Sequence, residues 1–456
     1  MFRSAVTLGI ITGCAIGSAG CATTRAVTDP PRPSYVIPAL GIVTFEAGLN
    51  AVDRRLFDDP SFTVTPSSIR RNLRSSWVID DDSYEVNQFL HPYQGSVYHG
   101  LARSAGLTYW QSAAYTLAGS TLWEIAGETT RPSINDQVAS GIAGSFFGES
   151  LFRTVNLLID KADGRPGPGR MLLVTAISPP TAFNRTLFGD RFDGVMPTNE
   201  PLYDARLHIG TSGLIRRSED TAGVLRRGTL VDVSLEYGLP GRDGYTYARP
   251  FDYFNFQASA STENGLESVT SHGLLFGRSY SAGESGRGVW GVFGLYDYLS
   301  PNLYRISTTA LSIGTTVQWW SVAGLGFQMS GHAAVGWAAA QTLGDDTGYH
   351  YGMAPQASLA FRLTGADRVA IDVAASGYAV SDVGGYPTPR DDAIVRGEAA
   401  IGLRLFWRHA VSVRYQFNQR IAALPDLTTS RQRRETVGLF YSLLGPQGFG
   451  ASRRRR

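Results

Sequence analysis

Apolar and polar side chains alternate with a period of two along most of the chain between residues 204 and 445. In one run Val231 and Val233 alternate with Asp232 and Ser234. The runs are about ten residues long, which is the length that a tilted strand needs to cross a bilayer. About twelve of them fit in the segment, and single-chain bacterial barrels have even strand numbers. The alternation therefore predicts an antiparallel transmembrane β-barrel of about 12 strands.

The composition and the aromatic residues near the run ends favour the same fold. Glycine accounts for 52 of 456 residues and charged residues for only 18%, which suits glycine-punctuated β structure. The net charge of +2 gives no indication of a nucleic-acid partner. The aromatic residues expected in interfacial girdles are Tyr296, Tyr298, Trp319, Trp320, Trp407 and Tyr441. The charged residues expected to face the lumen, where they could pair, line a pore or hold a plug, are Arg206, His208, Asp232, Glu236, Arg362, Asp372, Arg396, Glu398, Arg404 and Arg414.

The first 21 residues have the features of a bacterial lipoprotein signal peptide. A short basic start precedes the apolar stretch from Ala5 to Ile16, which is too short to span a bilayer. Ser18-Ala19-Gly20-Cys21 resembles a lipobox, although Ser18 stands where leucine is usual. We expect cleavage before Cys21, lipidation of that residue and passage to the outer membrane of a Gram-negative cell. The alternative is ordinary signal cleavage without a lipid.

The segment between the signal peptide and the barrel has helical periodicity. We expect helices from Ile37 to Phe57, from Gly95 to Gly106 and from Leu107 to Glu128. Ser133 opens a capping box for another helix that runs to about Asp160. That helix carries glycines at three- and four-residue spacing, which let a neighbouring helix approach closely.

The whole chain is thus predicted to be α+β, with an N-terminal helical module followed by the barrel. The expected segments are a signal peptide (1–21), a proline-rich tether (22–35), the helical module (36–200), the barrel (204–445) and a mobile basic tail (446–456).

Unusual polar residues are concentrated among apolar and small ones in the helical module. The candidate catalytic residues are His91, His99, Glu124, Glu128 and Glu149. The candidate structural or binding residues are Asp80, Asp82, Asn87, Gln88, Tyr93, Gln94, Tyr98, Trp123, Asp136 and Arg153. Glu149 and Arg153 lie four residues apart on one helix, so we expect them to pair.

Three interpretations of this cluster stay open. A metal site is one, since helical bundles bind metals with inward Glu and His, but the spacing is not Glu-x-x-His. Acid–base hydrolysis with a histidine base is another, but no Gly-x-Ser-x-Gly elbow or other nucleophile stands out. The third is a buried polar network that fixes helix packing and docks the module onto the barrel. Neither a metal nor any other cofactor follows from the sequence.

The polar residues of the module form an ordered motif. It begins Trp77-x-x-Asp80-x-Asp82 and continues as Asn87-Gln88-x-x-His91-Pro92-Tyr93-Gln94-Gly95-x-x-Tyr98-His99. This motif looks like that of a bacterial envelope domain of unknown function, over about residues 70–190. The resemblance implies a helical module in front of an outer-membrane barrel and supplies no established activity.

These observations predict an outer-membrane barrel lipoprotein whose periplasmic helical module plugs it, gates it or binds an envelope component. The expected partners are outer-membrane lipid and an envelope lipid, glycan or protein. The alternative is a membrane-embedded hydrolase or metal-dependent enzyme that acts on envelope lipid or glycan through the His/Glu cluster. A small-solute channel is a third possibility, and it needs a continuous lumen past the helices.

Overall fold

The computed structural model describes twelve stretches of the chain. They are residues 33–56, 60–80, 82–161, 164, 166–189, 201–217, 227–242, 244–321, 324–342, 349–382, 391–423 and 429–450. The predicted signal peptide with Cys21, most of the tether, and the last six residues of the basic tail lie outside them.

Twelve antiparallel strands form a closed barrel, as the alternation predicts. Each strand pairs with its neighbours in the sequence, and β1 pairs with β12 to close the sheet. The strands are β1 Tyr203–Arg217, β2 Arg227–Tyr237, β3 Phe254–Ser261, β4 Gly265–Ser281, β5 Gly286–Leu299, β6 Tyr304–Trp320, β7 Leu325–Thr342, β8 Tyr349–Gly365, β9 Val369–Asp382, β10 Asp391–Phe406, β11 His409–Ala423 and β12 Thr429–Leu444.

The two faces of the sheet differ in polarity. Outward-facing side chains such as Ile313, Leu439 and Leu359 are 69%, 62% and 52% exposed. The opposite face carries buried polar residues such as Asp232 and Asp297 and encloses the lumen. A closed antiparallel barrel with an apolar outer wall is the architecture that crosses bacterial outer membranes, because closure leaves no unpaired strand edge in lipid. The protein is accordingly located in the bacterial outer membrane.

The two ends of the barrel are distinguishable by their connections. At the near rim, where β1 begins and β12 ends, residues 366–368 join β8 to β9, and only Trp407 and Arg408 join β10 to β11. Residues 238–253, between β2 and β3, form a longer connection at the same rim. At the opposite, far rim β1 ends and β12 begins.

The helical module contains eight α-helices among the described residues. They are α1 Val36–Leu56, α2 Pro66–Asn72, α3 His91–Ser104, α4 Tyr109–Ala126, α5 Ile134–Asp136, α6 Gly144–Asp160, α7 Pro168–Ile177 and α8 Pro179–Phe188. A π-helical turn at 86–90 leads into α3, and another at 137–143 joins α5 to α6. The predicted break at Gly106 is confirmed, since this residue has φ +93°. The Ser133 side chain caps the helix that follows by accepting a hydrogen bond from Asp136 N–H.

Helices α1, α3, α4 and α6 form an up-and-down bundle with two poles. At the near pole, Ser34 N–H donates to the Ala105 carbonyl at the end of α3 (3.0 Å), and Tyr115 of α4 donates to the Tyr35 carbonyl (2.7 Å). At the far pole, Asn50 at the end of α1 donates to the Gly127 carbonyl beyond α4 (2.7 Å). These contacts align the starts of α1 and α4 with the end of α3.

Glycine lets α3 and α6 approach each other closely. A Cβ atom on Gly144 would lie 2.6 Å from the Gly95 Cα atom, and one on Gly148 would lie 2.8 Å from the His99 Cβ atom. Both distances are too short for real side chains. The predicted small-residue stripe is therefore the surface on which the two helices pack.

The module packs against the outer wall of the barrel. Phe147 of α6 contacts the Phe256 ring (6.2 Å between centroids) and the Tyr296 ring (5.8 Å). Phe256 pairs with Ser271, which pairs with Tyr296, and all three lie on the outward face. The prediction that the module plugs the lumen is wrong, because its aromatic residues pack on the outer face of the barrel wall and not inside the lumen. The girdle assignment of Tyr296 and Tyr298 is wrong for the same reason: the module covers both rings.

The segment after β12 turns back into the barrel. Phe449 is 2% exposed and packs with Ala370, Ala410 and Leu444 inside the near rim. Its N–H donates to Asp367 Oδ1 (3.2 Å). The prediction of a mobile tail is wrong for residues 446–450, because burying the Phe449 ring holds this segment in place.

We expect Gly144→Leu to lower the folded yield and the melting temperature of the module. The side chain would meet the α3 backbone, and overpacking typically costs about 1–3 kcal/mol and occasionally more. The measurement is the thermal loss of the helical circular-dichroism signal. Gly48→Leu on α1 is the matched control, since a Cβ there meets nothing within 4 Å. Equal stability of the two variants would contradict close packing at Gly144.

Candidate functional site

Glu149 lies at the centre of a buried charge network between α3 and α6. Its Oε2 atom lies 3.0 Å from His99 Nε2 and accepts a hydrogen bond from Arg103 Nε (2.7 Å). Its Oε1 atom accepts from Arg153 Nε (2.8 Å). The predicted Glu149–Arg153 pair is therefore confirmed, within a larger group.

Arg153 extends this network from the module to the barrel. Its Nη1 atom donates to Asp252 Oδ1 (3.0 Å) and its Nη2 atom to the Pro250 carbonyl (2.6 Å). Both acceptors belong to the connection between β2 and β3 at the near rim. Two guanidinium groups thus face two carboxylates, and such mutual pairing is what makes buried charge tolerable.

A second network surrounds Asp80, before α3. Its Oδ1 atom accepts from Asn87 Nδ2 (2.5 Å) and Asn135 Nδ2 (2.9 Å). Burial by itself would raise the pKa of Asp80, but these hydrogen bonds and one from Asp136 lower it overall. Asn135 Nδ2 also donates to Asp136 Oδ1 (3.2 Å), so one amide group joins the two carboxyl groups.

His91 adjoins this carboxyl pair. Its Nε2 atom lies 3.7 Å from Asp136 Oδ2, and its Nδ1 atom lies 3.2 Å from Ser140 Oγ. His91 is 7% exposed, so both of these neighbours contact it inside the module.

The same end of the module contacts the far part of the barrel wall. Asn87 Nδ2 donates to the Tyr349 hydroxyl (2.7 Å), and Gln88 Nε2 donates to the Tyr351 hydroxyl (3.0 Å). The Tyr296 hydroxyl donates to the Gln88 carbonyl (2.8 Å). Part of the sequence motif therefore holds the module on outward-facing tyrosines.

The remaining candidates have local roles. Glu124 Oε2 accepts from Ser133 N–H (2.7 Å), at the turn before α5. Burial raises the pKa of Glu128, just beyond α4, to about 7. Gln94 donates to the Tyr98 hydroxyl (2.5 Å). The other contacts are Tyr93 stacked on Phe89, the Asp82 carbonyl accepting from Tyr349, and Trp123 packed beside Gly127.

The five candidate catalytic residues do not converge on one open cleft. His99 and Glu149 belong to one network, His91 adjoins the Asp80–Asp136 pair, and Glu124 caps a turn. Within the described ranges, no three His, Cys, Asp or Glu side chains are grouped as a metal site requires. These residues are buried and form hydrogen bonds or ion pairs with one another and with neighbouring groups of the module.

Sequence reasoning missed Arg103 and Asp252, which complete the Glu149 network. Arg103 lies four residues after His99 on α3, so the helical spacing could have indicated it. Asp252 lies in a connection of the barrel, and nothing local to it predicts a contact with α6.

The barrel lumen contains a second candidate site. A cavity of about 300 Å³ is lined by side chains, many of them polar, from eleven of the twelve strands. His272 Nε2 lies 2.6 Å from Asp297 Oδ1, and the Tyr378 hydroxyl donates to Asp297 Oδ2 (3.1 Å). The predicted inward-facing charges are confirmed as cavity-lining, except Arg404, which pairs with Asp367 at the near rim.

Comparisons with known proteins agree with the division into module and barrel. Residues 76–180 match the model of a domain of unknown function, DUF3943. No curated protein sequence matches the chain.

Several solved barrel structures are similar to this chain at low identity. A NanC porin is 9% identical, with 52% of this chain and 98% of the porin covered and a TM-score of 0.28. The translocator domain of the autotransporter NalP from Neisseria meningitidis is 13% identical, with 59% and 99% covered and a TM-score of 0.26. OmpT of Vibrio cholerae is 8% identical, with 53% and 98% covered and a TM-score of 0.23. Because these scores are low, the outer-membrane assignment rests on the closure and apolar wall of the barrel itself.

We expect Glu149→Gln to destabilise the module strongly. The substitution leaves Arg103 and Arg153 with one buried carboxylate between them, and breaking a buried ion pair typically costs about 3–5 kcal/mol. The measurement is the melting temperature of the helical signal in purified, detergent-solubilised protein. Glu85→Gln is the matched control, since Glu85 is 51% exposed and pairs with Arg305 at the surface. A Glu149→Gln variant as stable as this control would contradict the structural role.

Proposed function

We propose that the protein binds a small organic anion inside the barrel lumen, and that the polar networks of the helical module serve to build the module and dock it. The observation that carries this proposal is Arg396, a lumenal arginine that has no ion-pair partner among the described residues. It lines the cavity of about 300 Å³ and is half-buried.

The other arginines that line the cavity are paired. Arg206 lies 3.0 Å from Asp372, Arg362 lies 2.7 Å from Asp204, and Arg414 lies 3.3 Å from Asp232. Within the part of the chain that the structure describes, Arg396 makes neither an ion pair nor a hydrogen bond. An unpaired guanidinium in a lumen is a site for a carboxylate or phosphate, which it can bind with two parallel hydrogen bonds.

The wall around Arg396 offers further polar groups. In the strand register, Arg396 lies opposite Ser376 on β9 and opposite Asn418 on β11. On the next strand, Gln356 is 8% exposed and lines the same cavity, and its Oε1 atom has no hydrogen-bond partner. A buried acceptor without a donor costs free energy. An anion that also carries a hydroxyl group would satisfy both Arg396 and Gln356.

Occlusion of the lumen favours binding over free passage. Between the cavity and the far rim, the lumen is filled by the apolar cluster of Leu299, Leu303, Tyr304, Ile306, Tyr378, Val380 and Ile394. At the near rim, Phe449 packs inside the barrel. The module lies outside, so the helices do not obstruct the cavity.

We expect purified protein to bind gluconate in preference to sorbitol and N-methylglucamine, which have a similar size but are neutral and cationic. Isothermal titration calorimetry measures the three affinities. Arg396→Gln should weaken gluconate binding about 10- to 100-fold, since hydrogen bonds to charged groups contribute about 1.5–3 kcal/mol. Arg431→Gln, the same change on an exposed arginine of β12, should leave binding unchanged. The proposal fails if none of the three probes binds, or if Arg396→Gln binds gluconate as the parent does.

We also propose that Cys21 is lipidated. The lipobox-like Ser18-Ala19-Gly20-Cys21 supports this proposal. Residues 22–33 could reach about 40 Å when extended, which is ample to connect an acylated Cys21 in the membrane to Ser34. Mass spectrometry of the N-terminal peptide should show an acylated Cys21, and Cys21→Ser should remove the acyl mass. An N-terminus cleaved elsewhere and without acyl chains would refute the anchor.

A further inference from the structure

The four-helix bundle runs along the barrel wall from one rim to the other. At the near pole, the Lys161 ammonium lies 5.8 Å from the centre of the Tyr203 ring, where β1 begins. At the far pole, Glu85 Oε1 lies 2.8 Å from Arg305 Nη1, where β6 begins at the far rim. The bundle therefore occupies the same layer as the membrane-crossing wall.

The helix lengths match a bilayer. At 1.5 Å per residue, α1 with 21 residues and α4 with 18 residues are about 31 Å and 27 Å long. The hydrocarbon core of a bilayer is about 30 Å thick. Among the described helices, Val36–Leu56 is the one long and apolar enough to cross a membrane. Only 17% of its most apolar 18-residue stretch is buried.

Charge is absent from the outward surface of the bundle between its poles. Across residues 36–52, 86–127 and 134–159, the charged and histidine side chains are all buried: Glu46, His91, His99, Arg103, Glu124, Asp136, Glu149 and Arg153. The exposed cations lie at the poles, with Arg54, Arg55, Arg70, Arg71, Arg74 and Arg131 at the far pole and Lys161 and Arg170 at the near pole. This is the distribution of a membrane-embedded bundle, whose ionisable groups face its interior.

Large apolar side chains occupy the surface between the poles. Leu40 and Val43 of α1 are 63% and 52% exposed, and Leu117 of α4 is 41% exposed. This surface continues onto the barrel, where Trp110 stacks on the outward-facing Phe276 with centroids 5.2 Å apart. Bundle and wall thus present one continuous apolar surface.

We propose that the acyl chains of the outer membrane cover this surface, so that the helical bundle lies in the bilayer beside the barrel. The barrel fixes the depth of the bundle, because its wall crosses the bilayer at the height where the bundle docks. Helices satisfy their own backbone hydrogen bonds, as lipid requires. The buried ion pairs would then hold the bundle together where lipid cannot solvate charge.

The test is thiol labelling of single-cysteine variants of the full chain in phosphatidylethanolamine–phosphatidylglycerol vesicles (3:1). Val43→Cys and Leu117→Cys lie between the poles, Arg74→Cys lies at the far pole, and Ile313→Cys lies on the lipid-facing wall. A charged maleimide is added with freeze–thaw access to both sides, and labelling is quantified for each peptide by mass spectrometry. We expect Val43→Cys and Leu117→Cys to react at least about tenfold more slowly than Arg74→Cys, as Ile313→Cys does, since thiolates do not form in hydrocarbon. Urea and detergent should make all four react.

Labelling of Val43→Cys and Leu117→Cys as fast as that of Arg74→Cys would overturn the proposal and place the bundle in water. At fewer than one chain per vesicle on average, no second copy of the chain can shield these positions, so slow labelling identifies lipid as the cover. If a cysteine variant fails to fold, Leu40→Cys replaces it on the same surface of α1.

Discussion

The carboxylate of Glu149 holds two buried guanidinium groups, and the arrangement of the module on the barrel depends on it. Arg103 belongs to α3 and Arg153 to α6, so one carboxylate fixes the register of the two central helices. Arg153 then continues to Asp252 and the Pro250 carbonyl. Because buried charges cannot be left unpaired, helix packing and docking are coupled through one set of side chains.

The barrel could be predicted from the sequence because its signal is local and repeated. Alternation such as Val231–Asp232–Val233 specifies a strand with one apolar face, and twelve repeats specify closure. The bundle helices were predictable for similar reasons, from capping at Ser133 and the glycines that face α3. What the sequence could not specify is which apolar faces meet. Tyr296 alternates as a lipid-facing girdle residue would, and its contact with Phe147 is a property of the assembled structure alone.

The sequence could not show which lumenal arginine lacks a partner, for a related reason. The inward direction of Arg396 follows from strand periodicity, but the absence of an ion-pair partner for it among the described residues depends on the register of neighbouring strands around a closed sheet. Arg206 and Asp372 are distant in sequence and pair across the lumen, whereas Arg396 faces Ser376 and Asn418. The difference between a neutralised arginine and a free one is therefore set by long-range geometry.

The position of the bundle also dictates an order of biogenesis. Its docking surface is made of outward side chains from separate strands, including Phe256 of β3, Tyr296 of β5 and Tyr351 of β8. This surface does not exist until those strands have paired, although the helices precede them in the chain. The helices can therefore dock, and Arg153 can reach Asp252, only after the sheet has formed, so assembly of the barrel precedes completion of the helical core.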